Sequence, residues 1–341
     1  MSVRRASSNT ARRPGRAGRL RMLCVLLLAG IVLLTGCGLQ SGSAVPLQVG
    51  PGSIRPVPAL EGVPVTVGSK DFTEQQILGY IIEFALVAAG AEVRDLTNIQ
   101  GSNSLRDAQL SGQIDIAYDY TGTGWVNYLG NETPVPDEQG QFEAVRDADR
   151  AAHGMTWAAM APMNNTYALA TARRTAESTD VWSLSDYAEL VATDPTAAAT
   201  CVGTEFNVRQ DGYPGMARAY GIDESQVTKR IVQDAVVFQA TADARQCTFG
   251  SVAATDGRIP ALDLVLLADD RAFFPKYNAA LVMRTEFADA HPEVTAIMTP
   301  ISRLLTNESI TELNRLVDVE GHEPAEVARD WMVANGFVTA R

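Results

Sequence analysis

The sequence is poor in the residues that most often build catalytic and metal centres. It has three histidines, His153, His291 and His322, which lie far apart and in no metal-ligand spacing such as H-E-x-x-H. It contains no G-x-S-x-G nucleophile motif, no phosphate-binding G-x-x-x-x-G-K-[ST] loop and no complete G-x-G-x-x-G fingerprint. These absences weigh against hydrolase, nucleotide-binding and metalloenzyme chemistry, and we expect neither a metal nor a cofactor.

Positive charge is scarce beyond the first 36 residues. The chain carries a formal net charge of −12, yet residues 1–36 contain seven arginines and no acidic residue. Without those arginines, about −19 remains on the rest of the chain. This charge argues against a nucleic-acid partner, because phosphate backbones attract basic surfaces.

No apolar run is long enough to span a membrane. The apolar stretch at residues 22–34 is shorter than the roughly 20 residues that a spanning helix needs. It follows a basic segment and ends in Leu34-Thr35-Gly36-Cys37, which resembles a bacterial lipobox. We therefore predict a lipoprotein signal peptide over residues 1–36 and lipid anchoring of Cys37 at the extracytoplasmic face of the cell membrane. The alternative is an ordinary signal peptide or signal anchor, and Arg12-Arg13 leaves twin-arginine export open.

Cysteine is scarce, and the positions of the four cysteines predict different roles. Cys24 leaves with the predicted signal peptide, and Cys37 is the predicted site of lipid attachment. Only Cys201 and Cys247 remain in the mature body. Outside the cytoplasm an isolated pair is typical of a disulfide, and two buried free thiols are the alternative.

The remaining chain predicts a tether followed by an α/β fold. Residues 37–62 are rich in Gly, Ser and Pro and lack apolar periodicity, which indicates a flexible tether. The following segments predict a strand at 63–67, a helix at 74–89, a strand at 92–96, a helix at 105–111 and a strand at 114–118. This alternation is typical of a mostly parallel sheet covered by helices.

Three loops follow the predicted strands, at residues 69–73, 101–104 and 119–124. Ligands of open α/β sheets bind at the carboxyl ends of the strands. Each loop leads into a predicted helix, so it can point backbone N–H groups at an anionic ligand group. Candidate binding residues of the first lobe therefore fall in these loops.

A second α/β set follows the first. Segments at 164–170 and 277–283 are interpreted as crossings that leave and re-enter the first lobe. We predict one lobe from residues 63–163 and 277–341 and a second lobe from residues 164–276. Two crossings between two lobes make a hinged clamp.

Five short segments together resemble one protein family. They are VGSKDFTEQ (67–75), YDYTGT (118–123), NNTYAL (164–169), DGYPG (211–215) and TDGRI (255–259). In this order they resemble motifs of the substrate-binding proteins of osmoprotectant ABC importers, which carry glycine betaine, choline, carnitine and related quaternary amines. The resemblance implies a type 2 periplasmic-binding-protein fold, with two α/β lobes joined by two crossing strands. It also implies a membrane permease and an ATPase as partners.

The resemblance also implies the chemistry of the site. An aromatic cage holds a trimethylammonium head, which offers no N–H donors, and basic and hydroxyl groups hold a carboxylate tail. Lys70 matches the family's first-loop lysine, and Ser102 falls where a carboxylate-binding threonine is common. Tyr120 and Tyr213 match cage tyrosines. The other candidate ligand-binding residues are Phe72, Tyr118, Asp119, Thr121, Asn165, Tyr167 and Arg209.

Ala253 departs from the family pattern, because many members have a tyrosine at this position. One wall of the cage is therefore expected to be missing. The alternatives are that Phe249, Trp125 or Phe72 fills the gap, or that the pocket is wider and admits a bulkier or aromatic ligand.

Two other functional classes stay open at this point. An enzyme on the same bilobal scaffold needs a nucleophile or general base with an orienting partner in the cleft, and the sequence offers no convincing set. A sensor or adhesin lipoprotein would use the same clamp for signalling. We expect a binding protein of an importer, not an enzyme.

Overall fold

The structure is a computed structural model that describes residues 43–133 and 135–341. The predicted signal peptide, its cleavage site and Cys37 lie outside the described residues. Within these two ranges, no helix combines the length and the apolar character needed to cross a membrane.

The chain forms two α/β lobes, and it visits the first lobe twice. The first visit comprises β1 (Ser43–Ala44), β2 (Val49–Pro51), a 3-10 turn (Pro58–Leu60), β3 (Pro64–Lys70), α1 (Thr73–Ala89), β4 (Glu92–Ile99), α2 (Ser102–Leu110), β5 (Ile116–Tyr120), a π-helix (Thr123–Tyr128), α3 (Glu138–His153) and β6 (Met155–Ala158). The second lobe comprises β7 (Tyr167–Ala172), α4 (Arg173–Thr179), α5 (Leu184–Thr193), β8 (Thr200–Val202), α6 (Tyr213–Tyr220), β9 (Lys229–Ile231), α7 (Asp234–Asp243), β10 (Phe249–Ala253), α8 (Arg258–Ala261) and β11 (Leu264–Leu266). The return comprises β12 (Ala279–Arg284), α9 (Thr285–Ala290), α10 (Pro292–Ser302), α11 (Asn307–Asp318), α12 (Pro324–Ala334) and β13 (Val338–Ala340).

Each lobe has its own mixed sheet. The first has the strand order β1-β4-β3-β5-β12-β6 and the second has the order β11-β7-β10-β8-β9. In the first sheet β3 runs parallel to β4 and β5, whereas the returning β12 is antiparallel to β5 and β6. The predicted parallel pairing is therefore confined to the centre of the sheet, because the chain re-enters the lobe from the opposite end.

The helix α1 anchors the core of the first lobe. Leu78, Ile81 and Ile82 are fully buried against the sheet and the C-terminal helices. Gly90 follows the helix with φ of 103°, a left-handed conformation that glycine adopts without a side-chain clash. The helix therefore ends at a defined point, and its N-terminus follows directly from the loop at the end of β3.

Two crossings join the lobes, at residues 159–166 and 267–278. Asn164 and Asn278 form an antiparallel bridge between them. The Asn278 amide, fully buried, donates to the carbonyls of Ala161 and Met163. The crossings thus run side by side, as the interpretation of the sequence as a hinged clamp requires.

The second lobe contains a disulfide between Cys201 in β8 and Cys247, which precedes β10. The two strands are parallel neighbours. The bridge therefore links β8, which lies next to the edge strand β9, to the start of the central strand β10.

The prediction of a flexible tether is wrong for residues 43–62. β1 pairs with β4, and β2 pairs with β13 at the other end of the chain. Val49, Ile54 and Leu60 are buried in the core of the first lobe. These three apolar residues follow neither a helical nor a strand period, so the sequence pattern did not reveal that they are buried.

Candidate functional site

A cavity of about 180 Å³ lies between the two lobes. Its first-lobe walls come from the ends of β3 and β5 and the start of α2, as expected for an open α/β sheet. Its second-lobe walls come from the segment after β8, the first half of α7, and the end of β10 with the segment that follows it. Six of the residues singled out in the sequence line it: Lys70, Phe72, Ser102, Tyr120, Asn165 and Tyr167.

Lys70 ends β3 and is 3% exposed. Its ammonium forms an ion pair of 2.8 Å with the carboxylate of Asp119, which is fully buried at the adjacent end of β5. The ammonium also lies 5.1 Å from the centre of the Tyr120 ring, within the range of a cation–π contact. The charge of Lys70 is therefore already balanced inside the protein.

Tyr120 combines an aromatic face at the cavity with a buried hydroxyl. Its ring stacks on Phe72 at a centroid distance of 6.2 Å. Its hydroxyl donates to Glu74 over 2.6 Å, and burial, followed by the charge of Glu74, raises the pKa of Tyr120 well above its ordinary value. The tyrosine therefore stays neutral and fixed in orientation.

Glu74 is a central residue that the sequence reasoning did not assign to the site. It lies in the first turn of α1, is 2% exposed, and accepts four hydrogen bonds. The donors are Tyr120 and Asn314 of the first lobe, Asn165 of a crossing, and Thr255 of the second lobe. Burial raises the pKa of Glu74, and the four donors oppose this effect. The Glu74 carboxylate is thus hydrogen-bonded to both lobes and to one of the crossings.

Ser102 begins α2, and Gly101 before it has φ of 79°. The Ser102 backbone N–H and hydroxyl donate to the two carboxylate oxygens of Glu205, over 2.6 and 3.0 Å. Glu205 follows β8 in the second lobe, so this contact also bridges the lobes.

Arg209 lies behind the cavity wall and contacts residues of both lobes, among them Thr123, to which it donates over 3.4 Å. Its guanidinium binds Asp211 with two hydrogen bonds of 2.8 and 2.5 Å. It also lies 3.4 Å from Glu205 and donates to Ser102 over 3.4 Å. The guanidinium carbon is 5.5 Å from the centre of the Tyr167 ring. Arg209 therefore supports the wall instead of lining it.

Three aromatic walls of the cavity were not predicted as ligand contacts: Phe206, Phe238 and Tyr277. Tyr167 contacts Phe206 at a centroid distance of 5.1 Å and Tyr277 at 5.4 Å, both edge to face. Phe206 and Glu205 follow β8, so applying the loop-after-strand rule to the second lobe would have identified both.

Five of the residues predicted to contact the ligand do not line the cavity: Tyr118, Asp119, Thr121, Arg209 and Tyr213. Tyr118 is directed into the first-lobe core, where its hydroxyl pairs with Ser302 at 2.6 Å. Tyr213 is fully buried in the second-lobe core. Thr121 donates to the carbonyl of Lys276 over 2.9 Å. Asp119 pairs with Lys70, and Arg209 pairs with Asp211.

Ala253 lines the cavity at the place of the expected tyrosine. Of the three replacements considered, Phe72 lines the cavity, whereas Phe249 is buried against Tyr187. The Trp125 indole donates to the carbonyl of Thr133, and Trp125 does not line the cavity.

Carboxylates outnumber cations among the lining residues. The carboxylates are Asp71, Glu205, Asp234 and Asp256, and the cations are Lys70 and Arg258. Asp256 pairs with Arg258 at 2.6 Å. Desolvation, and then the charges of Glu205 and Asp71, raise the pKa of Asp234. In the described part of the chain no cluster of three or more His, Cys, Asp or Glu is placed to hold a metal ion.

The sequence matches a known family across most of its length. The family model of the substrate-binding domain of ABC-type glycine betaine transport systems matches residues 63–334. The chain belongs to this family. Its two-lobe fold and interlobe cavity are those of a substrate-binding domain of an ABC transport system.

Individual relatives agree with this assignment. The chain is 35% identical over 271 residues to a glycine-betaine-binding protein of Pseudomonas aeruginosa. The aligned region covers 78% of this chain and 86% of that protein. It is 30% identical to the glycine betaine-binding protein YehZ of Escherichia coli, over 82% of this chain and 93% of that one. Among solved structures, a glycine betaine/carnitine/choline ABC transporter protein superposes with a TM-score of 0.66 and 25% identity, over 80% of this chain and 99% of that one.

Proposed function

We propose that this protein captures a small quaternary amine in the interlobe cavity and delivers it to the permease of an ABC importer. The observation that carries the proposal is the composition of the cavity, where aromatic rings from both lobes lie beside carboxylates that exceed the cations. A methylated ammonium binds aromatic faces by cation–π attraction and apolar contact, because it has no hydrogen to donate.

Ligand capture is coupled to closure of the lobes. Glu74 of the first lobe accepts from Thr255 of the second, and Ser102 of the first donates to Glu205 of the second. Ligand in the cavity adds contacts to both lobes at once, and only such differential contacts favour the closed state. The permease, with its ATPase, then receives the closed and loaded form.

A pair of variants at Tyr120 tests the proposal. Tyr120→Leu removes the aromatic face and is expected to weaken choline binding roughly tenfold or more. Tyr120→Phe keeps the ring and removes only the hydroxyl, whose bond to Glu74 lies within the first lobe and does not join the two lobes. It therefore serves as the matched control and should retain most of the affinity. Calorimetric titration distinguishes the two. Equal affinity of the Leu and Phe variants would remove Tyr120 from the cage.

We also propose that Cys37 anchors the protein to the outer face of the cell membrane. The support is the basic segment, the apolar stretch and the Leu34-Thr35-Gly36-Cys37 sequence. Stable anchoring needs two or more acyl chains, which a processed lipoprotein cysteine carries. In membrane fractionation, Cys37→Ser should release the protein, whereas Cys24→Ser, a cysteine of the signal peptide, should leave it membrane-bound. Membrane retention of the Cys37→Ser protein would contradict lipid anchoring.

A further inference from the structure

The start of α2 forms an anion-binding cradle that a carboxylate of the protein already occupies. The cradle consists of the Ser102 backbone N–H, the Ser102 hydroxyl and the Arg209 guanidinium. The side chain of Glu205 receives all three, at 2.6, 3.0 and 3.4 Å.

The cradle has the chemistry to bind a carboxylate strongly. A helix N-terminus presents N–H groups without intrahelical partners and a partial positive charge. Ser102 is 2% exposed and Arg209 is 7% exposed, so water competes weakly for them. Charge-assisted hydrogen bonds are stronger than neutral ones, and a carboxylate can satisfy both donors of Ser102 together. Glu205 therefore holds the position that a ligand carboxylate would need.

Among the described residues, no other cation at or behind the cavity wall is available to a ligand carboxylate. Lys70 pairs with Asp119 at 2.8 Å, and Arg258 pairs with Asp256 at 2.6 Å. Arg209 also binds Asp211. Each positive charge at or behind the cavity wall thus has its own acidic partner among the described residues.

The remaining charge of the cavity is negative. Once the three cations are matched with Asp119, Asp256 and Asp211, the lining carboxylates Asp71, Glu205 and Asp234 are left over. All three line the same cavity, and the charges of Glu205 and Asp71 add to desolvation in raising the pKa of Asp234. A second carboxylate brought in by a ligand would meet like charge, whereas a cation would relieve it.

We propose that Glu205 is a specificity-determining residue that excludes ligands with a carboxylate tail, so that the protein prefers a quaternary amine of net positive charge, such as choline, over zwitterions such as glycine betaine. This inference rests on the proposed function and narrows its ligand class. Glu205 acts as a built-in substitute for the ligand carboxylate, and its bond to Ser102 closes the lobes in place of a ligand tail.

Calorimetric titration with choline and glycine betaine, on wild type and on Glu205→Ala, tests the inference. In wild type, choline should bind at least about tenfold more tightly than glycine betaine, because like charge at close range is costly. In Glu205→Ala the cradle is free, so glycine betaine should gain about tenfold or more relative to choline. The ratio of the two affinities is the readout, because lost lobe closure weakens both ligands alike.

Two further variants complete the design. Glu205→Gln keeps an acceptor for Ser102 and removes the charge, so it should shift the ratio in the same direction by a smaller amount, and it replaces the Ala variant if that one fails to fold. Glu189→Gln removes one charge from an exposed position of the same lobe and should leave the ratio unchanged.

The outcomes separate the inference from the function on which it rests. If wild type binds glycine betaine as tightly as choline, and the ratio does not change in either Glu205 variant, the inference is overturned while the transport role stands. If neither amine binds wild type or any variant, the proposed function itself fails.

Discussion

Glu83 lies on the buried side of α1 and is fully buried. Neither of its carboxylate oxygens accepts a hydrogen bond from a described residue. Burial, and then the charge of Asp95, raise the pKa of Glu83 to about 9. The side chain is therefore protonated in the folded protein at neutral pH, although it would be ionised in the unfolded chain.

This residue should make the protein less stable as the pH rises. Between the ordinary pKa of 4.5 and about 9, the folded state binds a proton that the unfolded state has lost, so each pH unit lowers the free energy of unfolding by up to about 1.4 kcal/mol. Glu83→Gln removes this loss. Thermal unfolding should show a midpoint gain for the variant that is small at pH 5 and grows towards pH 8.

The control for this prediction is Glu61→Gln, which changes an exposed glutamate. It should shift the midpoint little at any pH. A Glu83→Gln gain that is the same at pH 5 and pH 8 would mean that Glu83 is not protonated in the folded state.

Single residues were predictable where a local rule applied to them. Lys70 ends β3 and Ser102 follows β4, and both line the cavity as these positions imply. Glu74 could not be recognised, because its four donors come from distant parts of the chain. Tyr213 was assigned to the cage by motif, but it starts α6 with its side chain in the second-lobe core, where its hydroxyl pairs with that of Tyr187.

At the scale of elements, the disulfide is the main covalent constraint of the second lobe. Cys201 and Cys247 are 46 residues apart in the sequence, and the loop they close contains α6, β9 and α7. The strands here are short, because β9 and β8, which contains Cys201, have three residues each. The bridge limits the unfolded conformations available to this whole segment.

Replacing both cysteines should destabilise the second lobe. For a loop of this length, Cys201→Ala with Cys247→Ala is expected to cost about 2–4 kcal/mol, measured by denaturant unfolding. Reductant should lower the stability of wild type towards that of the double variant and leave the double variant unchanged. Identical midpoints for oxidised wild type and the double variant would show that the bridge contributes nothing to stability.

Elements with a clear period were predicted well, and those defined by distant pairing were not. The long helix and the strand before it follow directly from apolar periodicity and turn residues. β1 and β2 were missed because they are two and three residues long and pair with β4 and β13. A strand this short has no readable period, and a partner almost 300 residues away leaves no local trace.

At the scale of the whole molecule, the lobes meet through buried polar contacts next to the cavity. Thr255 of the second lobe is 1% exposed and donates to Glu74 of the first. Gly257 of the same lobe approaches the backbone of Arg315 in α11 so closely that an added Cβ would lie 2.4 Å from the Arg315 nitrogen. The two-lobe fold predicted from the five motifs is confirmed, and these contacts lie where the two lobes meet.

Thr255→Val should loosen the closed form and weaken ligand binding. The substitution keeps the shape of the side chain but leaves Glu74 with one donor fewer, and a hydrogen bond to a charged group contributes roughly 1.5–3 kcal/mol. We expect choline affinity to fall about tenfold or more by titration, and small-angle scattering to report a more extended ligand-free protein. Thr255→Ser keeps the hydroxyl and should resemble wild type. A Thr255→Val protein with wild-type affinity would show that this contact does not control closure.

The central claim is that the interlobe cavity binds a quaternary amine, and calorimetric titration of the protein without its signal peptide tests it most directly. Choline, glycine betaine and carnitine are titrated separately under identical conditions. We predict saturable one-to-one binding of at least one of them, with choline the tightest, and a matching rise in the thermal midpoint. The absence of both heat and thermal shift with all three would contradict the account.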